Sequence, residues 1–123
     1  MSEILGIGCD LCAISRMEAL IRNEAFLRRC LTAEEKAYLA ERGRMAAASL
    51  AGIWAAKEAA LKALGVGISL PLTEVGVRHL ESGRPVYELS GKALALARGG
   101  SLSLSISHEG DMAMAFCVWS GQK

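Results

Sequence analysis

Trp54-Ala-Ala-Lys-Glu-Ala-Ala-Leu-Lys62 is the stretch on which the reading of this chain turns. It lies in an Ala-rich segment whose pattern predicts a helix from about Met45 to Leu64, stopped by Gly65-Val-Gly67. At ~100° per residue, Glu58 stands only about 40° around that helix from Trp54. The apolar stripe runs through Leu50, Trp54, Leu61 and Leu64, with Glu58 at its edge. An ionised carboxylate in apolar surroundings is costly or takes up a proton, so Glu58 calls for a lysine, a polar network or a metal.

Working outward, Ile4 to Cys9 reads as a first strand that ends at Asp10. Arg16 to Asn23 is a helical pattern with Ser15 as its N-cap. Thr32-Ala-Glu-Glu35 opens a further helix as a capping box and runs to about Arg42. After the long helix, Thr73 to Leu80 alternates as a strand, Ser82-Gly-Arg-Pro85 turns, and Val86 to Leu89 returns. Lys92 to Arg98 is a small helix. Leu102-Ser-Leu-Ser-Ile-Ser-His108 then alternates strictly, with a hairpin turn at Glu109-Gly110-Asp111 and a return strand from Met112 to Trp119. Helices come early and antiparallel strands late. The fold class is therefore α+β, a single compact domain with helices packed on an antiparallel sheet.

Composition bounds the rest. A length of 123 residues holds one domain with a real core, and 52% apolar residues with 2 prolines exclude a disordered chain. A net charge of +1 provides no global steering towards nucleic acid. No apolar run reaches the roughly 18 residues of a membrane span. Met-Ser-Glu-Ile-Leu lacks a signal-peptide leader, so a cytoplasmic location is expected, where the four cysteines stay reduced. Cys9 and Cys12 form a C-x-x-C, but a zinc site needs a second pair of ligands that is missing here.

Three polar points stand out: Asp10, Glu58 and His108, two of them at the ends of predicted strands. Two carboxylates at an open face suit magnesium, which keeps waters and takes phosphate oxygens as further ligands. Lys57 and Lys62 add charge suited to phosphates. Each has an ordinary alternative. Asp10 serves equally as a turn residue or cap, Glu58 and Lys62 as an exposed i, i+4 pair, His108 as a turn residue, and Gly65 as a helix stop. The basic cluster of Arg16, Arg22, Arg28 and Arg29 around Met17, Phe26 and Leu27 is either a solvated face or a docking site for an acidic helical partner.

Taken in order, Gly6-Ile-Gly-Cys-Asp10-Leu, Phe26-Leu-Arg-Arg-Cys-Leu-Thr-Ala-Glu-Glu35, Trp54-Ala-Ala-Lys-Glu-Ala-Ala-Leu-Lys62-Ala-Leu-Gly65, Ser82-Gly-Arg-Pro85 and Ser105-Ile-Ser-His108 resemble the holo-acyl-carrier-protein synthase family of 4'-phosphopantetheinyl transferases. The resemblance spans nearly the whole chain. It implies that fold, a homotrimer with coenzyme A in clefts between neighbours, and transfer of phosphopantetheine to a serine of an apo acyl carrier protein. It implies Asp10, Glu58 and Lys62 as catalytic residues, with Asp10 and Glu58 holding magnesium. Lys57, Lys62, Gly65 and His108 would line the coenzyme, and Arg16, Arg22, Phe26 and Arg28 would face the acidic carrier. Two positions depart from the family pattern: Ile53 replaces an arginine and Val66 a threonine, which predicts altered coenzyme affinity or carrier choice with activity retained. Two competing expectations are a non-catalytic relative that only binds coenzyme A or the carrier, and a purely structural oligomer.

Overall fold

Glycine at every second position of Gly6-Ile-Gly8 is what lets a strand lie directly on a helix. In the computed structural model, which describes residues 2–67 and 69–123, a Cβ on Gly6 or Gly8 would overlap the carbonyl oxygen of Ala63 or Ala59. The strand is β1 (Glu3–Ala13) and the helix is α4 (Ala46–Ala63). Ala55, Ala56, Ala59, Ala60 and Ala63 are all buried, so small side chains line the helix as well as the strand.

Between them come α1 (Ile14–Leu20), α2 (Glu24–Cys30) and α3 (Ala33–Ala40). The helix expected over Arg16 to Asn23 is α1, which stops at Leu20, while α2 is a further helix that the sequence reading did not name, capped by the Asn23 side chain, which accepts from the Phe26 N–H. The α1 N-cap is Ala13 rather than Ser15, with no side-chain cap of its own. The Thr32/Glu35 capping box forms with both of its bonds.

The chain continues as β2 (Val75–His79), β3 (Pro85–Leu89), α5 (Gly91–Leu96), β4 (Ser101–Glu109) and β5 (Met112–Gly121). Antiparallel β1-β5-β4 form one sheet and antiparallel β2-β3 another. Alternation sorts the faces: Ala113, Ala115 and Cys117 of β5 are buried, as is Gly8 of β1. The opposite face of β1 and β5 carries Ile7 at 59% exposure, Leu11 at 62%, Met112, Met114 and Phe116. β4 places Leu102, Leu104 and Ile106 inward and its serines outward, as the alternation predicted.

The helix α4 is buried well beyond a single stripe, since Lys57 and Ile53 are as fully covered as Leu50 and Leu61. In its second half the edge of α4 left open runs through Trp54, Glu58 and Lys62. Two sequence expectations change here. Asp10 does not end the first strand: it pairs with Ala115 in mid-strand, and the ladder runs on to Ala13. Cys9 and Cys12, three apart on one strand, point to opposite faces, Cys9 exposed and Cys12 buried, so they share no site.

Candidate active site

The close seat of α4 on β1 brings Asp10 to the helix. Asp10 is two residues beyond Gly8 and therefore on the same face of the strand, half-buried beside Glu58 and Lys62. The Lys62 ammonium donates to Asp10 Oδ1 at 3.2 Å and to the Cys9 carbonyl at 2.9 Å, tying helix to strand. Lys62 thus pairs with Asp10 rather than forming the local pair with Glu58. Burial pushes the Glu58 carboxyl above the usual carboxylate range, and the negative charge of Asp10 adds to that rise. Lys62 and then Arg16 pull it back. The Arg16 guanidinium stands 5.2 Å over the Trp54 ring, which packs on Phe26 at 5.5 Å.

A cleft of about 530 Å³ opens around this edge of β1, lined by Cys9, Asp10, Leu11, Lys62, Met114 and Phe116. That volume suits a small-molecule site. An apolar groove of about 260 Å³ between α1, α2 and α3 is lined by Ile21, Leu27, Leu31 and Leu39 with Lys36 its single charge. Of these two, the cleft beside β1 offers a carboxylate and an ammonium together. Among the described residues no cluster of three or more His, Cys, Asp and Glu side chains is placed to hold a metal. Two hard carboxylate donors fit magnesium all the same, because that ion takes one or two protein carboxylates and completes its shell with water and phosphate oxygens.

Other expected site residues lie elsewhere. Lys57 is 0% exposed, and its ammonium donates to Glu35 Oε1, the Leu72 carbonyl and the Val75 carbonyl, each at 2.9 Å. That corrects its expected place on the coenzyme side: one residue before Glu58, it faces ~100° away, towards α3 and β2. Its partner Glu35, 1% exposed, also accepts from the N–H groups of Thr32 and Val77. The sequence signalled Glu35 only as a capping residue. Phe26 is 8% exposed and committed to Trp54, so it is not presented to a partner as expected. Arg16, Arg22 and Arg28 are exposed.

His108 donates from Nε2 to the Ala48 carbonyl at 2.9 Å and lies against Gly52. Six residues of helix rise, ~9 Å, separate Gly52 from Glu58. Within one chain His108 therefore does not join Asp10 and Glu58. Gly65 has φ +75° and ends α4, the Gly65 N–H bonding to the Lys62 carbonyl and the Val66 N–H to the Leu61 carbonyl. Ile53, where the family pattern has arginine, is 0% exposed and belongs to the core.

Comparison with known proteins identifies the family and the fold. The sequence model of the 4'-phosphopantetheinyl transferase superfamily matches residues 6–117. The holo-[acyl-carrier-protein] synthase of Treponema denticola is 38% identical over 122 residues, covering 96% of this chain and 99% of that protein. The crystal structure of the Neisseria meningitidis holo-[acyl-carrier-protein] synthase superposes with a TM-score of 0.81 at 35% identity, covering 94% of this chain and 98% of the other. The Helicobacter pylori enzyme in complex with coenzyme A superposes with a TM-score of 0.79 at 33% identity, covering 91% and 97%. With a family match over most of its length and relatives at this identity, the chain belongs to the holo-acyl-carrier-protein synthase family of 4'-phosphopantetheinyl transferases.

Proposed function

We propose that this chain transfers the 4'-phosphopantetheine group from coenzyme A to a serine of an apo acyl carrier protein, with magnesium, releasing adenosine 3',5'-bisphosphate. The observation that carries the reading is the pairing of Asp10 and Lys62 at one cleft with Glu58 close enough for their charges to act on its carboxyl, an arrangement built by the contact of a glycine strand with an alanine helix. In the reaction the serine Oγ bonds to the pantetheine-bearing phosphorus, the phosphoanhydride P–O bond breaks, and the nucleotide leaves with the electron pair. Asp10 and Glu58 are the residues that would hold magnesium, which when bound would supply charge neutralisation to the pyrophosphate. Glu58, its carboxyl raised by burial and by Asp10, accepts the serine proton. Lys62 has given two of its three N–H bonds to Asp10 and Cys9, and offers the third to a phosphate oxygen. Arg16, Arg22 and Arg28 form the basic face for the acidic carrier.

Coenzyme A then lies between subunits of a homotrimer. Two observations support that part of the reading. The apolar face of β1 and β5 continues directly into the cleft through Leu11, Met114 and Phe116. His108 and Asp10 lie apart within one chain, and a neighbouring copy is a means of bringing them to one ligand. Free thiols and the absence of a helix long and apolar enough to cross a membrane among the described residues suit a cytoplasmic site of action.

Two measurements test the proposal. Incubation with coenzyme A, magnesium and several apo carrier proteins is expected to add the mass of one phosphopantetheine to a carrier, read by mass spectrometry. Unmodified carriers throughout, with coenzyme binding intact by calorimetry, would establish the binding-only alternative. Sedimentation velocity is expected to give three times the chain mass, reduced to one by Phe116→Asp, which places a charge on the apolar sheet face. A wild-type monomer at micromolar concentration contradicts the trimer.

A further inference from the structure

We propose that Asp111, in the turn between β4 and β5, is a positioning residue for carrier docking, because it fixes the start of α1 and with it the place of Arg16. The inference rests on the carrier-facing role given above to Arg16 and Arg22.

Helix α1 has seven residues, too few to hold itself together. Its N-cap, Ala13, offers no side-chain acceptor, and its first turn contains no acidic residue. The free N–H groups at its start are satisfied instead from a point 96 residues away. The Asp111 carbonyl accepts from the Ile14 N–H at 2.7 Å. Its carboxylate accepts from the Ser15 N–H through Oδ1 at 3.0 Å and from the Ser15 hydroxyl through Oδ2 at 2.7 Å. One residue thereby makes three bonds to two successive positions, two of them charge-assisted. Gly110, at φ +56°, allows the tight reversal that presents Asp111 there.

Arg16 follows Ser15 directly. Its guanidinium is held 5.2 Å over Trp54, one helical turn before Glu58, and its charge reaches the Glu58 carboxyl. Below, Met17 is fully buried and anchors the middle of α1. Asp111 is the second anchor, and it controls the end at which Arg16 sits. The Ser15–Asp111 bonds are exposed, and the β4–β5 ladder does not depend on them, so their loss bears on α1 placement more than on the fold.

The test is steady-state kinetics of the full chain with the carrier and coenzyme A varied separately. Asp111→Ala is expected to raise the carrier KM about tenfold, the effect of losing charge-assisted bonds. The coenzyme A KM, and kcat at saturating carrier, should stay within about twofold. Asp111→Asn, whose amide oxygen still accepts from the Ser15 N–H, should restore much of the wild-type value, and Ser15→Ala should show a smaller rise. A carrier KM unchanged in folded Asp111→Ala overturns the proposal. So does a fall in kcat with both KM values unchanged, the mark of a smaller active fraction. Should Asp111→Ala fail to fold, Ser15→Ala decides in the same way. If the wild type modifies no carrier, the transferase reading itself falls; if it does and the carrier KM is insensitive, only this inference falls.

Discussion

Glu58→Gln is expected to lower phosphopantetheine transfer by a factor of about 10³, while the protein remains folded and its melting temperature is unchanged or slightly raised. The substitution keeps size and shape and removes one negative charge, so it separates chemistry from packing. Both proposed tasks of Glu58, holding one side of magnesium and accepting the serine proton, require the ionised carboxylate. Asp10 alone leaves a single carboxylate at the cleft, with Lys62 already on it at 3.2 Å.

The expected sign of the stability change follows from the folded carboxyl being raised above its unfolded value by burial and by Asp10. For an acid shifted in that direction, the unfolded chain gives up its proton first as pH rises. Stability is therefore lost as pH rises from the unfolded value through the folded value. A neutral glutamine does not carry that loss. Activity falling sharply while the melting temperature holds is the signature of a group maintained for function against stability. Calorimetric titration with magnesium and coenzyme A should show the loss of metal-dependent coenzyme binding. Full activity in Glu58→Gln would remove Glu58 from the metal and from the proton transfer alike.

What could be read beforehand was mostly local. The Thr32/Glu35 capping box, the Leu-Ser alternation of β4 and the glycine stop at Gly65 depend on neighbours within a few residues, and all three form. Asp10 was misplaced at a strand end because aspartate is a poor strand former. Its pairing with Ala115 and the glycine contact with α4 carry the strand past it. Helix α2 has no place in the sequence reading although Asn23 is an ordinary cap for it. The cap of α1 was beyond local reading altogether, since its acceptor, Asp111, is 96 residues away.

The site divides along the same line. Asp10, Glu58 and Lys62 come together because β1 and α4 pack through two glycines and a row of alanines, a contact that small residues in both segments signal. Lys57 and Phe26 depart from expectation for one common reason. The angular position of a side chain on a helix follows from spacing, but which sides of that helix are covered depends on elements far along the chain. Here β2 and α3 close over Lys57, and the Trp54 ring takes up Phe26.

Lys57→Met is accordingly expected to act on stability, lowering it by about 3–5 kcal/mol, the range for removing one member of a buried ion pair. The lysine joins three parts of the fold at once: Glu35 of α3, Leu72 at the turn before β2, and Val75 of β2 itself. Desolvation pulls the Lys57 ammonium below its ordinary value, and Glu35 opposes that shift, so the cation persists in the core only with this partner. Methionine fills much of the volume but leaves the Glu35 carboxylate buried with two backbone N–H donors and no counter-charge, and two carbonyls with a lost donor. Adding Glu35→Gln to Lys57→Met should recover part of the loss, because the amide still accepts one backbone bond without a buried charge. Denaturant melts of the two single variants and the double variant give the coupling directly. At low temperature, where Lys57→Met remains folded, its coenzyme A KM should match the wild type, since the ammonium is closed off from the cleft. A Lys57→Met protein with wild-type stability and weakened coenzyme binding would return the lysine to the phosphate side and contradict the buried pair.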